Sequence, residues 1–412
     1  MEDRDTERCG WLSVLLCALM VFTTLGFCSS ANSIYVVPVT QGLGITRSAY
    51  ATTTTVRFVT MATVNVFFGA LVRRFGVKRL ILGGFASLIV ANLLCASARG
   101  LPLLLAGSAF LGAGLAFTST TMVGVIVHRA CRTHTGLLTG IALAMNGAGA
   151  AVARVVLTPI LYAGPPTAFR NAYRLVARIL FCAALILLIF LRDVPWKKRQ
   201  AAPTDPGDSA NMWRNVMRKP HFCLALVCVF CTGLVLQSVS GISDPYLKDS
   251  GVALGLITAI MSVHSLSLSG TKSAVGFLYD RAGVRVACSV CYGAALVALL
   301  SLLAVEGASF MVVPFALLFA VALPLQTVML PILARELAGA EELDRTLGIF
   351  VGFNVAGYAV GGPVANLIFD VTGSYRLWIL LSIGLIAAVC AGMNTALTFA
   401  RRAREMARST NE

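Results

Sequence analysis

Acid is what this chain has least of. Its 412 residues hold 18 Asp and Glu against 33 Lys and Arg, a formal net charge of +15. Charged residues of both signs make up 12%. A soluble domain carries roughly 25%, so a water-soluble globular protein is excluded. The chain has no G-x-x-x-x-G-K-[ST] run, which excludes a phosphate-cradling loop of that type. It has four His, and none stands with Cys or acids at metal-ligand spacing. His128, His134 and His221 fall in polar segments or at their edges. No nucleophile–base pair stands out, so we expect neither an enzyme nor a bound cofactor or metal. Cysteine is not scarce, at twelve, but nearly all of it sits in apolar stretches. Cys228/Cys231 and Cys288/Cys291 have C-x-x-C spacing without companion ligands or a βαβ context. They read as small buried hydrophobes.

What the chain does have is apolar length. Hydrophobic residues make up 58%, and mean hydropathy is +0.83. They fall in repeated stretches of about 20, enough to cross ~30 Å of hydrocarbon as helix. A β-barrel would show alternating segments of ~10 residues instead. The pattern predicts an all-α polytopic membrane protein with twelve transmembrane helices: 11–38, 48–70, 79–98, 101–127, 135–161, 174–192, 221–243, 252–277, 286–304, 308–333, 344–368 and 376–399. The first stretch stays apolar through Val39, too long for a cleaved signal peptide. Residues 193–220 are polar and broken by Pro203, Pro206 and Gly207. They read as a linker between six-helix bundles at 1–192 and 221–400, with a tail at 401–412. Asn211 to Lys219 has the pattern of an amphipathic surface helix. Sorted by these spans, 23 of the basic residues lie on one side, seven on the other and three within. The positive-inside rule puts the rich side, with both termini, in the cytoplasm of a plasma-membrane protein. The net charge therefore calls for no nucleic acid.

The two halves repeat. Gly69 to Arg79 resembles Gly276 to Arg285 at an offset of 207 residues, the Gly140, Asn146 and Gly149 pattern returns as Gly348, Asn354 and Gly357 at 208, and Phe169-Arg170 returns as Tyr375-Arg376 at 206. Near-constant offsets close to half the length indicate a duplication. Duplicated carriers bind substrate near mid-bilayer, where the halves meet.

Apart from residues in the end turns of spans, such as Arg174, Arg178, Asp344 and Arg345, the charged residues within spans are Arg57, Arg154 and Lys272, with no acid beside them. A buried Lys or Arg costs roughly 2.5–3.5 kcal/mol on insertion scales and usually marks a partner or a substrate path. A bound anion is the partner this reading leaves. The duplication pairs Arg57 with His264, and Asn65 with Lys272. Ser265, Ser269 and Lys272 fall on one helical face.

The twelve spans, the central linker and the G-x-L-x-x-R-x-G-x-K-R phrase from Gly69 to Arg79 resemble the major facilitator superfamily. Gly42-Leu43-Gly44-Ile45-Thr46-Arg47-Ser48, Gly361-Gly362-Pro363, Asp370 to Tyr375, and Gly10-Trp11 are similar to phrases of its monocarboxylate and oxalate/formate carriers. The resemblance covers nearly the whole chain. It implies that Lys272, four residues before Gly276, binds a substrate carboxylate. Asn354 and Tyr358, on a span that carries substrate contacts in that family, are implied as further contacts. It also implies a conformational latch built from Gly69, Arg74, Gly76, Asp280, Arg281 and Gly283. One departure stands out: the latch acid expected after span two is Arg73. The Asp that commonly precedes the span-eight cation is replaced by Leu268.

These readings converge on a monomeric carrier of small mono- or dicarboxylates in the lipid bilayer, working by alternating access. The missing span acid favours anion exchange or facilitated flux over proton symport. Each residue has a plainer alternative. Lys272 could snorkel to headgroups, Arg57 could bond backbone carbonyls, His264 could be a packing histidine, and Arg154 could play a local structural role. A multidrug or neutral-metabolite carrier fits the few aromatics, 8%, and the acid-free spans less well. A transport-dead sensor would be expected to carry longer tails.

Overall fold

The computed structural model describes residues 2–130, 135–165, 167–191, 220–338 and 343–409. Every regular element among them is helical. Almost all of the proposed linker, including Asn211 to Lys219, lies outside the described residues. The first crossing is not one helix. It runs as α1 (Glu2–Val21), a π-helical stretch Phe22–Ser30, a 3-10 turn Asn32–Tyr35 and α2 (Val36–Leu43). Local competition explains the irregularity. Thr23 and Thr24 turn their hydroxyls back onto the Leu19 and Met20 carbonyls, and such back-bonding loosens a helix. π-helical stretches recur at functional sites.

Next come α3 (Arg47–Phe75), α4 (Val77–Ala96), α5 (Leu101–Phe117), α6 (Thr120–Ala130), α7 (Thr135–Tyr162) and α8 (Phe169–Phe190). The second half supplies α9 (Pro220–Asp249), α10 (Leu254–Ala304), α11 (Val312–Ala322), α12 (Met329–Ala338), α13 (Leu343–Thr372) and α14 (Arg376–Ser409). The 51-residue α10 is two limbs meeting at Gly283, whose backbone is not helical. Ten helices among the described residues are long and apolar enough to cross a membrane. The 29-residue α3 is not among the ten; it carries six threonines and Arg57. Exposed Ile189, Phe310 and Val371 would face water at a cost, whereas hydrocarbon accepts them.

The duplication is written in the backbone. Gly44 and Gly251 have φ of 63° and 78°, and Gly76 and Gly283 both have 81°. Each pair is 207 residues apart. These left-handed turns suit glycine, which has no Cβ to clash. The break between α5 and α6 at Thr118 has its counterpart in the 3-10 turn Leu323–Gln326 between α11 and α12. Glycine also sets helix approach. A Cβ on Gly149 would run into the Phe22 carbonyl oxygen, and one on Gly357 would run into that of Phe230. These are the same contact in the two halves, 208 residues apart.

The residues group into two compact units. The first comprises Met1–Trp196, Ser240–Gly270 and Gly362–Tyr375, and the second Lys197–Val239, Thr271–Gly361 and Arg376–Glu412. The first has a continuous apolar core in which Tyr35 stacks on Tyr173 with ring centroids 4.5 Å apart. In the second, Phe222 stacks on Phe350, and Thr232 bonds the Tyr292 hydroxyl at 2.9 Å.

We expect Gly149→Ala to lower stability by about 1–3 kcal/mol, the usual cost of overpacking. Gly348→Ala, with open space at its Cβ, should be neutral. Detergent-solubilised thermal unfolding of both variants checks this.

Candidate functional site

The first unit contains a buried ion pair that the sequence reading missed. Arg154, on α7, meets Asp244, on α9, with Nη1 2.5 Å from Oδ1. Their side chains are 4% and 5% exposed. Ser33, in the irregular part of the first crossing, donates to the other carboxylate oxygen and accepts from Arg154 Nη2 at 3.3 Å. Lys248 lies nearby with its ammonium 4.3 Å from the Tyr162 ring centroid. The expectation of an acid-free membrane interior is thereby corrected. The expected seventh span, 221–243, stops one residue short of Asp244. The helix instead continues to Asp249, with Pro245 inside it. A signal existed: shifting the first span, 11–38, by the repeat offset carries the seventh past residue 244.

Six residues after Ser238 lies Asp244, and five further on, α9 ends in a second acid. Arg47 grips Asp249 with both terminal nitrogens, Nη1 at 2.6 Å and Nη2 at 3.1 Å. Such two-pronged contact is the strong form of the pair. The Arg47 guanidinium also lies over the Phe369 ring, 4.0 Å from its centroid, and Nη1 reaches the Tyr375 hydroxyl at 3.3 Å. Tyr375 in turn donates to Asn366 at 2.7 Å. Asp370 accepts from the backbone N–H of Arg47 and Ser48, at 3.2 and 2.9 Å. A carboxylate there satisfies amides that the helix itself leaves unpaired and complements its dipole. Two phrases that matched the carboxylate carriers, at 42–48 and 370–375, are thus one interlock.

Arg57 lies on α3 inside a cleft of the first unit. It is 4% exposed, and its Nε and Nη1 have no hydrogen-bond partner. Lys272, on the part of α10 in the second unit, is half-buried and makes no ion pair or hydrogen bond among the described residues. The other expected site residues are engaged or plainly placed. Ser269 donates to the Ala144 carbonyl at 2.9 Å, and Asn354 to that of Val229 at 3.1 Å. Ser265 turns onto its own helix at Met261. His264 is buried and Tyr358 half-buried, each with an interaction partner. Of the expected latch residues, Gly76 and Gly283 form the matching turns and Gly69 lies within α3. Arg74, Asp280 and Arg281 are exposed and unpaired among the described residues, with Arg281 4.6 Å from the Phe277 ring centroid.

Many apolar crossings, a backbone duplication and charges held inside the helices define a polytopic membrane carrier rather than an enzyme. The family model of the Major Facilitator Superfamily matches residues 14–334, and the chain belongs to that superfamily. It is a multi-pass secondary transporter. Among curated proteins it is 24% identical over 402 residues to the uncharacterized MFS-type transporter YcxA of Bacillus subtilis (strain 168), covering 94% of this chain and 93% of that protein. It is 23% identical over 290 residues to the oxalate:formate antiporter of Oxalobacter formigenes, covering 69% and 66%. Among solved structures, a mutant of the nucleoside transporter NupG superposes with a TM-score of 0.78 at 12% identity, over 93% of this chain and 99% of that one. At that identity the likeness shows the fold alone.

Removing one member of a buried pair strands the other charge. We expect Asp244→Asn to cost about 3–5 kcal/mol, and Arg154→Met with Asp244→Leu to restore most of it. Chemical denaturation of the purified variants measures both; a D244N protein as stable as wild type would show the pair to be dispensable.

Proposed function

We propose that this chain carries small organic anions, mono- or dicarboxylates, by alternating access, and that Lys272 binds the substrate carboxylate. The carrying observation is Lys272 itself, a half-buried ammonium without a partner among the described residues. Arg154 has its counter-charge in Asp244 and needs none from a substrate. A lysine offers a point charge rather than a fork, which suits substrates of varied shape. The distant similarity to an oxalate:formate antiporter supports the substrate class. Exchange remains the favoured coupling: a cation left empty reorients through hydrocarbon at greater cost than a neutralised one.

The orientation proposed from the basic loops puts both termini in the cytoplasm. The Arg47 interlock then faces outward and ties α3 of the first half to α9 and α13 of the second. Alternating access requires it to break and reform in each cycle. One observation favours a second reading, proton-coupled uptake. Asp244 is a buried carboxylate, and its protonation would release Arg154 and Ser33.

In proteoliposomes we expect Lys272→Gln to abolish uptake of labelled formate, lactate and oxalate while the protein stays folded by gel filtration. Wild-type rate and affinity in K272Q would overturn the reading. Counterflow separates the two couplings. Exchange predicts uptake accelerated by internal anion and little changed by an imposed pH gradient, whereas symport predicts the reverse.

A further inference from the structure

The cleft around Arg57 has a chemistry of its own. It holds about 530 Å³ of empty space, including space open to the outside, with room for water or a small anion. Its walls include Tyr35, Tyr50, Thr53, Asn92 and Tyr173, and no Asp or Glu among the described residues lines it. Two polar side chains within it are nearly fully buried and incomplete. Arg57, 4% exposed, leaves Nε and Nη1 unpaired, and Tyr35, 3% exposed, leaves its hydroxyl unpaired. Two of the other polar walls are turned to the backbone, Thr53 donating to the Tyr50 carbonyl at 2.6 Å and Asn92 to the Leu88 carbonyl at 2.8 Å, and neither bonds the unpaired atoms of Arg57 or Tyr35. The nearest aromatic relief is Phe58, whose ring centroid lies 4.8 Å from the guanidinium.

An unpaired guanidinium out of water costs several kcal/mol. Unpaired buried donors lining one cleft ask for an acceptor. We propose that this cleft is a resident site for a small monovalent anion, the size of chloride, nitrate or formate, held by Arg57 and Tyr35 and distinct from the transport path. Distinctness follows from the lining. Every wall residue falls between positions 27 and 173, in the first half of the duplication. A transported substrate is passed between both halves. The proposal does not depend on which substrate is carried. Its role is to neutralise a buried arginine that no acid reaches among the described residues.

The test is thermal unfolding of the purified full-length protein in sodium chloride, nitrate, formate or gluconate at equal ionic strength. We expect the small anions to raise the melting temperature by several degrees over gluconate, saturably. Arg57→Gln should remove the difference, and Tyr35→Phe should weaken it severalfold in half-saturating concentration. Should R57Q fail to fold, Y35F carries the test alone. Lys272→Gln should keep the effect while losing transport. Equal stability in gluconate and chloride would overturn the proposal, leaving water as the occupant. So would stabilisation that survives in Y35F and R57Q unchanged, or stabilisation lost in K272Q, which would make the anion a substrate in the transport site. Formate acting where chloride and nitrate do not would identify the occupant as a carboxylate. Transport surviving in K272Q would refute the substrate reading and leave this site untouched.

Discussion

A charge inside hydrocarbon has to be neutralised where it stands, and the Arg154–Asp244 pair shows how this fold does it. The arginine comes from the first half of the duplication and the acid from the second. Neither is tolerable alone, so the pair commits α7 and α9 to each other. Ser33 completes the carboxylate's hydrogen bonding from the first crossing, at a point where that crossing has left regular helix. The irregular stretch is therefore tied to charge compensation and also contributes Tyr35 to the neighbouring cleft. Five residues along α9, Asp249 meets Arg47 in the same sense, acid from the second half and arginine from the first. The last turns of α9 thus form an electrostatic seam with elements of the first half.

The three interior cations consequently have three different physical situations. Arg154 is neutralised within the protein. Arg57 is enclosed in a small cleft lined by first-half residues. Lys272 is half-buried and unmatched among the described residues. Composition alone made them equivalent, because composition does not say which acid lies within reach. The distinction separates a paired cation, an enclosed one and a half-buried one.

Much of the architecture was legible in the amino-acid order. Apolar run length gave the crossings, and the offset near 207 gave the duplication that the paired glycine turns at 44/251 and 76/283 display. The glycine-rich stretches at 107–114 and 140–149 allow close packing, and Gly107, Gly112 and Gly149 sit against neighbouring helices. Less legible were the places where polarity and helicity part company. Ser243-Asp244-Pro245 looks like an ending because each residue disfavours helix in water, yet the helix runs through the buried Asp244 and, its proline tolerated as in membrane helices, on to Asp249. The first crossing fails the other way: an unbroken apolar reading conceals threonines that compete with the backbone. The Arg47 interlock was visible only as two separate phrases, since nothing in local order says that residues more than 320 apart meet.

The Gly149–Phe22 and Gly357–Phe230 contacts bear on how the halves could diverge. On one side is a main-chain carbonyl, and on the other the lack of a side chain. Such a contact is indifferent to which side chain position 22 or 230 bears. Its partner position has only one acceptable residue. Drift after duplication is therefore restrained at these glycines, which remain among the letters by which the two halves can still be aligned.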